Sequence, residues 1–417
     1  MDSYETGNLV ASIAAQTFVD VWDASVSVIT HGGWLLFVLL LANFYLNLNR
    51  VRRRHEYEHE IEWVFLNISI PDLPSPSMLA AELVFSQLHA TKRKFNWRDR
   101  WFKGKVDTWF SFEIASIGGL VRYLIRAPRT HVEAVKSAVF AQYPDAEIGE
   151  ASDYMEAFPL PFNPGEVDYD LYGTELSLEK PDAYPIRTYI QFEHRAAEII
   201  IDPLSALIEV MSNLDPDEVM AVQIIAQPSG DHWKEHAEEV SQELKHKGEP
   251  EAETHEGAKE PPLTMMQHLS DTEKNVINLI HAKLGKLSYT TKIRFLYAAP
   301  KEKIKVQVRV PVALGVFSQF SAFDINAFKQ NKFTFTKAVS RISDKLEARR
   351  IHGEVLWKKR TFISNFASRA LHFGGTPFHL STEEIASLFH FPLEDVRKGS
   401  VEKMEARKGE PPINLPV

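Results

Sequence analysis

The chain has no cysteine among its 417 residues. Disulfides, thiolate metal sites and cysteine nucleophiles are therefore excluded, and the bulk of the chain suits a reducing compartment. It lacks an excess of positive charge: 47 Lys and Arg against 56 Asp and Glu leave a net charge of −9. Any nucleic-acid site must then be a local patch. Disorder-prone composition is also lacking. With 44% hydrophobic and 25% charged residues, the chain can bury a core over most of its length, and its length suggests two to four domains. Long apolar runs are missing as well, with one exception.

That exception is VSVITHGGWLLFVLLLANFYLNL, residues 26–48, which contains no Asp, Glu, Lys or Arg. As a helix it would extend roughly 34 Å, enough for a hydrocarbon core of about 30 Å. Trp34 and Tyr45 sit where aromatic rings favour the membrane interface. Arg50, Arg52, Arg53 and Arg54 follow at once, while Asp2, Glu5, Asp20 and Asp23 precede. The reading is a transmembrane helix at 26–48, with residues 1–25 outside and the body on the cytoplasmic side. A cleaved signal peptide would carry its basic residues ahead of the apolar run.

Just past this run lies RRRHEYEHEIEW, in which His55-Glu56-Tyr57-Glu58-His59 matches H-E-x-x-H. In a zinc protease the two histidines hold the metal and the glutamate polarises its water. Such a helix needs an apolar face to sit in the enzyme. This one is flanked by three arginines and by Glu60 and Glu62, so the segment reads as a solvated helix end, and a metalloprotease stays only as the alternative.

The body reads as two rounds of strand, helix, two strands, helix, strand. IEWVFLNISIP (61–71) alternates as a strand, and SMLAAELVFSQLHAT has helical spacing. A basic, aromatic loop (92–105) follows. Then come VDTWFSFEIAS, the turn Ile117-Gly118-Gly119-Leu120, the returning strand VRYLIRAP, a helix at 130–142 and a short strand DAEIGEA. The second round has strands IRTYIQFEH, DEVMAVQIIAQ and YTTKIRFLYAA and the helix IDPLSALIEVMSNL. EKIKVQVRVPVALGVFSQF reads equally as extended or helical. The expected fold class is α+β: one N-terminal transmembrane helix, two tandem ferredoxin-like (βαββαβ) modules at 49–158 and 159–326, and a C-terminal helical, basic region at 327–396. Within the second module, 228–262 is expected as a flexible insertion and 263–286 as a helix. Residues 397–417 form an extended proline-rich tail.

Residues 327–370 hold eleven Lys and Arg against three acids: Lys329, Lys332, Lys337, Arg341, Lys345, Arg349, Arg350, Lys358, Lys359, Arg360 and Arg369. Trp357, Phe362 and Phe366 are interleaved. A basic helical hairpin of this kind suits phosphate contacts or an acidic partner. His372, His379 and His390 fit no metal template. Ser381 with Glu384 forms a capping box before IASLFH. No catalytic, cofactor or metal residue is assigned.

Five segments together carry a family likeness: YLIRAPRTHVEAVKSAVFAQYPDAEI, FLYAAPKEKI, QFSAFDINAFK, FHLSTEEIASLFHFP and EARKGEPPINLP. The chain resembles the membrane-anchored N-terminal region of conjugative type IV secretion-type, FtsK/HerA-like DNA-pumping ATPases of candidate-phyla bacteria. The resemblance covers roughly residues 30–417. It departs where the motor should be, because no G-x-x-x-x-G-K-[ST] occurs, and Gly285-Lys286 is followed by Leu287. The resemblance therefore implies a non-catalytic component at the bacterial inner membrane that docks or scaffolds a DNA-pumping ATPase. Its expected partners are membrane lipid, a separate P-loop ATPase subunit, DNA and further copies of the chain. A nucleic-acid-binding adaptor is the other alternative.

Overall fold

The computed structural model describes residues 16–17, 20, 22–23, 26–27, 30, 32, 34–70, 78–157, 168–194, 199–200, 202–247, 269–322, 324–336 and 345–391. In chain order the elements begin with helix α1 (Trp34–Glu60), strand β1 (Trp63–Ser69), α2 (Met78–His89) and the short α3 (Trp97–Phe102). Next are β2 (Phe110–Ile117), β3 (Leu120–Pro128), α4 (Val132–Gln142) and β4 (Glu147–Ala151). The chain continues with β5 (Tyr169–Leu178), a two-residue pair β6 (Glu193–His194) and β7 (Ile199–Ile200), α5 (Ser205–Ser212) and β8 (Val219–Pro228). Then come α6 (His232–Lys247), α7 (Asp271–Leu284), β9 (Ser288–Pro300) and α8 (Val306–Gly315). It closes with β10 (Phe328–Gln330), α9 (Lys345–Ser368), β11 (Phe378–Ser381) and α10 (Thr382–Leu388).

Two compact units result, Met1–Ile61 with Lys94–Val106, and Glu62–Arg93 with Asp107–Val417. In the first, α1 and α3 meet closely. Arg53 Nη1 donates to the Phe102 carbonyl at 2.7 Å, and the Arg50 guanidinium lies 5.1 Å from the Trp101 ring. Gly104 has φ +64°, and a Cβ there would run into the Arg53 backbone.

The second unit is built on one sheet of nine strands in the order β10-β5-β9-β8-β2-β3-β1-β4, with β11 pairing to the free stretch of β9. All its pairings are antiparallel. Strand alternation sends two sets of side chains to opposite faces. Phe110, Phe112 and Ile114 of β2, Met220, Val222 and Ile224 of β8, and Ile293, Phe295 and Tyr297 of β9 join one apolar core. Helices α2, α4, α5, α8 and α10 supply its other side through Phe85, Val135, Leu207, Ala313 and Ile385. The opposite face carries a smaller apolar set, Phe65, Leu124, Ala221 and Leu296, covered by Phe362, Ile363 and Phe366 of α9.

The expected fold class is corrected in two respects. The sheet is not assembled from two tandem ferredoxin-like modules. β2 and β8 pair along their length, from Phe110↔Ala226 to Ile117↔Val219. One core cluster spans both halves, and the C-terminal segment contributes both a strand and the helix that closes the second face. The physical reason is that both faces of this sheet are apolar enough to need a cover. A βαββαβ unit with its helices on one side would leave the second face bare.

The transmembrane helix is corrected too: among the described residues, no helix is long and apolar enough to cross a membrane. α1 begins at Trp34 and runs on through Arg50–Arg54 to Glu60. Its uncharged part, Trp34 to Leu48, covers about 22 Å at helical rise, short of a hydrocarbon core. The single-pass inner-membrane placement with residues 1–25 outside loses its basis accordingly. Most of 1–25 lies outside the described residues.

Smaller differences have local causes. The expected flexible insertion contains α6, whose Trp233, Ala237 and Val240 recur at helical spacing and bury against Ala183 and Leu284. The ambiguous 302–320 stretch forms α8, with Pro311 inside it. The expected basic hairpin is strand β10 followed by the single long α9, and residues 337–344 and 392–417 lie outside the described set.

The capping box forms as its sequence suggests. Ser381 N donates to Glu384 Oε2 at 2.7 Å, and Glu384 N donates to Ser381 Oγ at 3.3 Å. Ser381→Ala is expected to lower the unfolding free energy by about 1 kcal/mol. Gly173 lies against Phe362, and an added Cβ would meet that ring. Gly173→Ala should cost about 1–3 kcal/mol through overpacking. Denaturant titration of both variants measures these effects.

Candidate functional site

The covered face of the sheet holds an unusual row of polar side chains. Glu175 of β5 is opposite Arg294 of β9, Arg294 is opposite Gln223 of β8, and Gln223 is opposite Glu113 of β2. The four residues therefore run straight across four strands. None is more than 2% exposed. Buried charges require partners, and each of these has them. Arg294 Nε donates to Glu175 Oε1 at 2.8 Å and its Nη1 to Gln223 Oε1 at 3.2 Å. Gln223 Nε2 passes the chain on to Glu113 Oε1 at 3.2 Å. Ser111 Oγ and Tyr154 OH donate to the two Glu113 oxygens at 2.6 and 2.7 Å.

Arg369 completes the row from above. Its Nε and Nη2 donate to Glu113 at 3.0 and 3.2 Å, and Nη2 also reaches Asp153 Oδ1 at 2.8 Å. Its guanidinium packs 4.6 Å from the Phe65 ring. Arg369 has φ +55°, the left-handed region that a non-glycine residue occupies at a cost. The side chain's anchorage on two carboxylates holds that turn.

These side chains also meet the open end of α9. The last carbonyls of a helix have no partner within it, and they carry the negative end of its dipole. Here Asn365 O accepts from Arg294 Nη1 at 3.0 Å and Phe366 O from Gln223 Nε2 at 3.1 Å. Ala367 O accepts from Arg369 Nη1 at 2.6 Å, and Ser368 O from Arg126 Nη1 at 3.4 Å. Beyond the helix, Phe373 O takes Arg294 Nη2 at 3.0 Å and Lys292 Nζ at 2.7 Å. Gly375 N donates to Glu175, and Gly374, at φ +94°, lies so close to that carboxylate that a Cβ would strike it.

The electrostatics follow from burial and pairing. Burial pushes the Glu113 carboxyl up, but the Arg369 charge and hydrogen bonds outweigh it, so the carboxyl titrates below its usual range. Arg369 is pulled down by burial and raised further by Glu113, with a net upward shift. Burial lowers Arg294, offset in part by Glu175. Lys292 is lowered by burial from 10.5 to about 8, with Glu175 opposing and Arg294 adding to the fall.

Beside this row opens a cleft of about 280 Å³ between α9 and the loop after β10. Glu175 and Gly374 form its floor, Phe333 and Trp357 its aromatic walls, and Thr334, Lys358, Thr361 and Asn365 its polar rim.

The sequence-predicted residues are distributed differently from the expected patch. Trp34, Tyr45, Arg50, Arg52 and Arg53 are exposed on α1, with Arg54 partly covered. Arg52 and Arg54 pair with Glu56 and Glu58, each at 2.9 Å. His55 and His59 lie on one exposed side of α1, Nε2 to Nε2 at 3.2 Å. Among the described residues no group of three or more His, Asp or Glu could hold a metal. Lys329 and Lys332 are exposed, on β10 and just after it. Lys358 pairs with Glu354 at 2.8 Å and Lys359 with Asp170, while Arg360 is exposed. Arg349 and Arg350 lie on α9, and Lys337 and Arg341 lie outside the described residues. Arg369 is wholly buried. Of the three C-terminal histidines, His390 pairs with Asp202 at 3.0 Å and His379 with Asp182 at 2.9 Å. His372 is exposed beside Trp109.

Sequence reasoning missed Glu113, Glu175, Gln223 and Arg294. Their signal was a single polar residue at an inward position of an otherwise apolar strand, as in FSFEIAS and TKIRFLY.

Fold and site together define an α+β protein on one antiparallel sheet with a closed, buried charge row. The chain belongs to the family described as Domain of unknown function (DUF8128), which matches residues 85–404. The match begins within α2 and takes in every member of the charge row. No curated protein matches the chain.

Removing one partner strands the other. Glu113→Gln is expected to cost about 3–5 kcal/mol, and pairing it with Arg369→Met should recover part of that loss, as a double-mutant cycle would read. Lys292 acts in the opposite sense. Between about 8 and 10.5 the unfolded chain binds more protons than the folded one, so stability rises with pH across that window. Denaturation from pH 7 to 10 should show wild type gaining on Lys292→Met. For His55 and His59, dialysed protein should retain well under one zinc per chain. Stoichiometric zinc that disappears in His59→Ala would revive the protease reading.

Proposed function

We propose that this chain is a non-catalytic component of a type IV secretion or conjugation-like translocation system that docks or scaffolds a DNA-pumping P-loop ATPase. The reading starts from the family likeness of its segments and from the missing Walker sequence. The observation that carries it is the state of the interior charges. Glu113, Glu175, Arg294 and Arg369 are mated to one another and to the end of α9. A carboxylate so engaged has no freedom to act as a base toward a substrate, and a perturbed pKa here reports a structural network. What the network provides is a stiff plate on which a partner can seat.

The segment FHLSTEEIASLFHFP supports the same reading. It forms β11 and α10, and Leu380, Ile385 and Phe389 lie in the main core. The likeness therefore resides in the folded body. DNA and further copies of the chain belong to the same proposal as partners.

Affinity isolation of the full chain from its native cells is expected to bring down a P-loop ATPase identifiable by mass spectrometry. Recovery of no such ATPase, or nucleotide turnover by the purified chain alone, would overturn the reading.

A further inference from the structure

The geometry points to the cleft beside Glu175 as a stacking site for an unpaired base of single-stranded nucleic acid. Two aromatic side chains from different elements stand at its walls. Phe333 is 86% and Trp357 64% exposed. Large rings left this open next to a cavity are a ligand feature rather than core. The volume, about 280 Å³, admits one base with its sugar. A base pair stacked in a duplex could not enter between a helix and a loop.

The polar rim fits the edge of a base. Thr361 and Asn365 line the cleft, and their side chains have no hydrogen-bond partner among the described residues. A carboxamide presents a donor and an acceptor side by side, which matches the edge of a nucleobase. An aromatic side chain from a protein partner has no such edge to offer. Charge complementarity favours the same occupant. Lys358 at the rim is answered by Glu354, but Lys329 and Lys332 are exposed and make no ion pair among the described residues. Lys332 directly precedes Phe333, so a cation adjoins the stacking ring, as phosphates flanking a stacked base require. Glu175 stays out of the contact, since Arg294 and Gly375 already hold it.

This site is independent of ATPase docking, and loss of a co-isolated ATPase would leave it untouched. Fluorescein-labelled dT15 titrated with the full chain at low salt is the direct test. Binding is expected, weakening as salt rises. Trp357→Ala should weaken it by about tenfold or more. Lys332→Glu should weaken it and flatten the salt dependence, and a duplex of equal length should compete poorly. Both residues are on the surface, and circular dichroism verifies their folding. In wild type the bound base should quench tryptophan emission, with that quench absent from Trp357→Phe. Unchanged affinity in Trp357→Ala and Lys332→Glu, equal competition by duplex, or no binding at low salt would each overturn the assignment.

Discussion

The rest of the structure depends on how the C-terminal end of α9 is closed. A helix laid across a sheet brings four carbonyls that its own ladder cannot satisfy, and burying them unpaired would cost as much as several lost hydrogen bonds. The sheet answers with Arg294, Gln223, Arg369 and Arg126, one for each of residues 365–368. Guanidinium groups suit this position because they are cationic against the negative helix end and carry several donors in a fixed plane. Having brought those charges inside, the fold must balance them, and Glu113, Glu175 and Asp153 do so.

That balance explains why the second face can be both apolar and ionic. Phe65, Leu124 and Leu296 bury against α9 while the polar row runs between them. Replacing such a row by hydrophobic residues is often neutral in stability. Its use here is positional, because a guanidinium fork fits only one arrangement of carbonyls and carboxylates. The same row fixes Gly374 and Gly375 against Glu175 and so shapes the floor of the cleft.

Much of the local structure was legible in the sequence. Alternation in 61–71, 106–116 and 289–299 marks strands β1, β2 and β9, and Ser381 with Glu384 marks the start of α10. Their assembly was not legible. The pairing of β2 with β8 depends on both faces of the sheet being covered, and the cover comes from α9, whose sequence is rich in lysine and arginine. Periodicity alone reads such a helix as solvated. Arg369 was counted among surface cations, although its surroundings are Phe65, Tyr154 and two carboxylates. Nothing local to position 369 names those partners. The apolar run at 26–48 misled for a different reason. Hydropathy counts residues without a boundary, whereas α1 begins at Trp34 and carries its helical path into the arginines. The cleft was foreshadowed only by Trp357 among the interleaved aromatics, since Phe333 and Asn365 had no reason to be grouped with it.

The partners Glu113 and Arg369 stand 256 positions apart. A contact of that span is among the last that a growing polypeptide can make, because both ends must have left the ribosome before the loop between them closes. Until then, two guanidiniums' worth of carbonyl and carboxylate sites on the half-made sheet stay wet. The clasp thus doubles as a completion signal: the second face becomes watertight only when nearly the entire polypeptide has been synthesised.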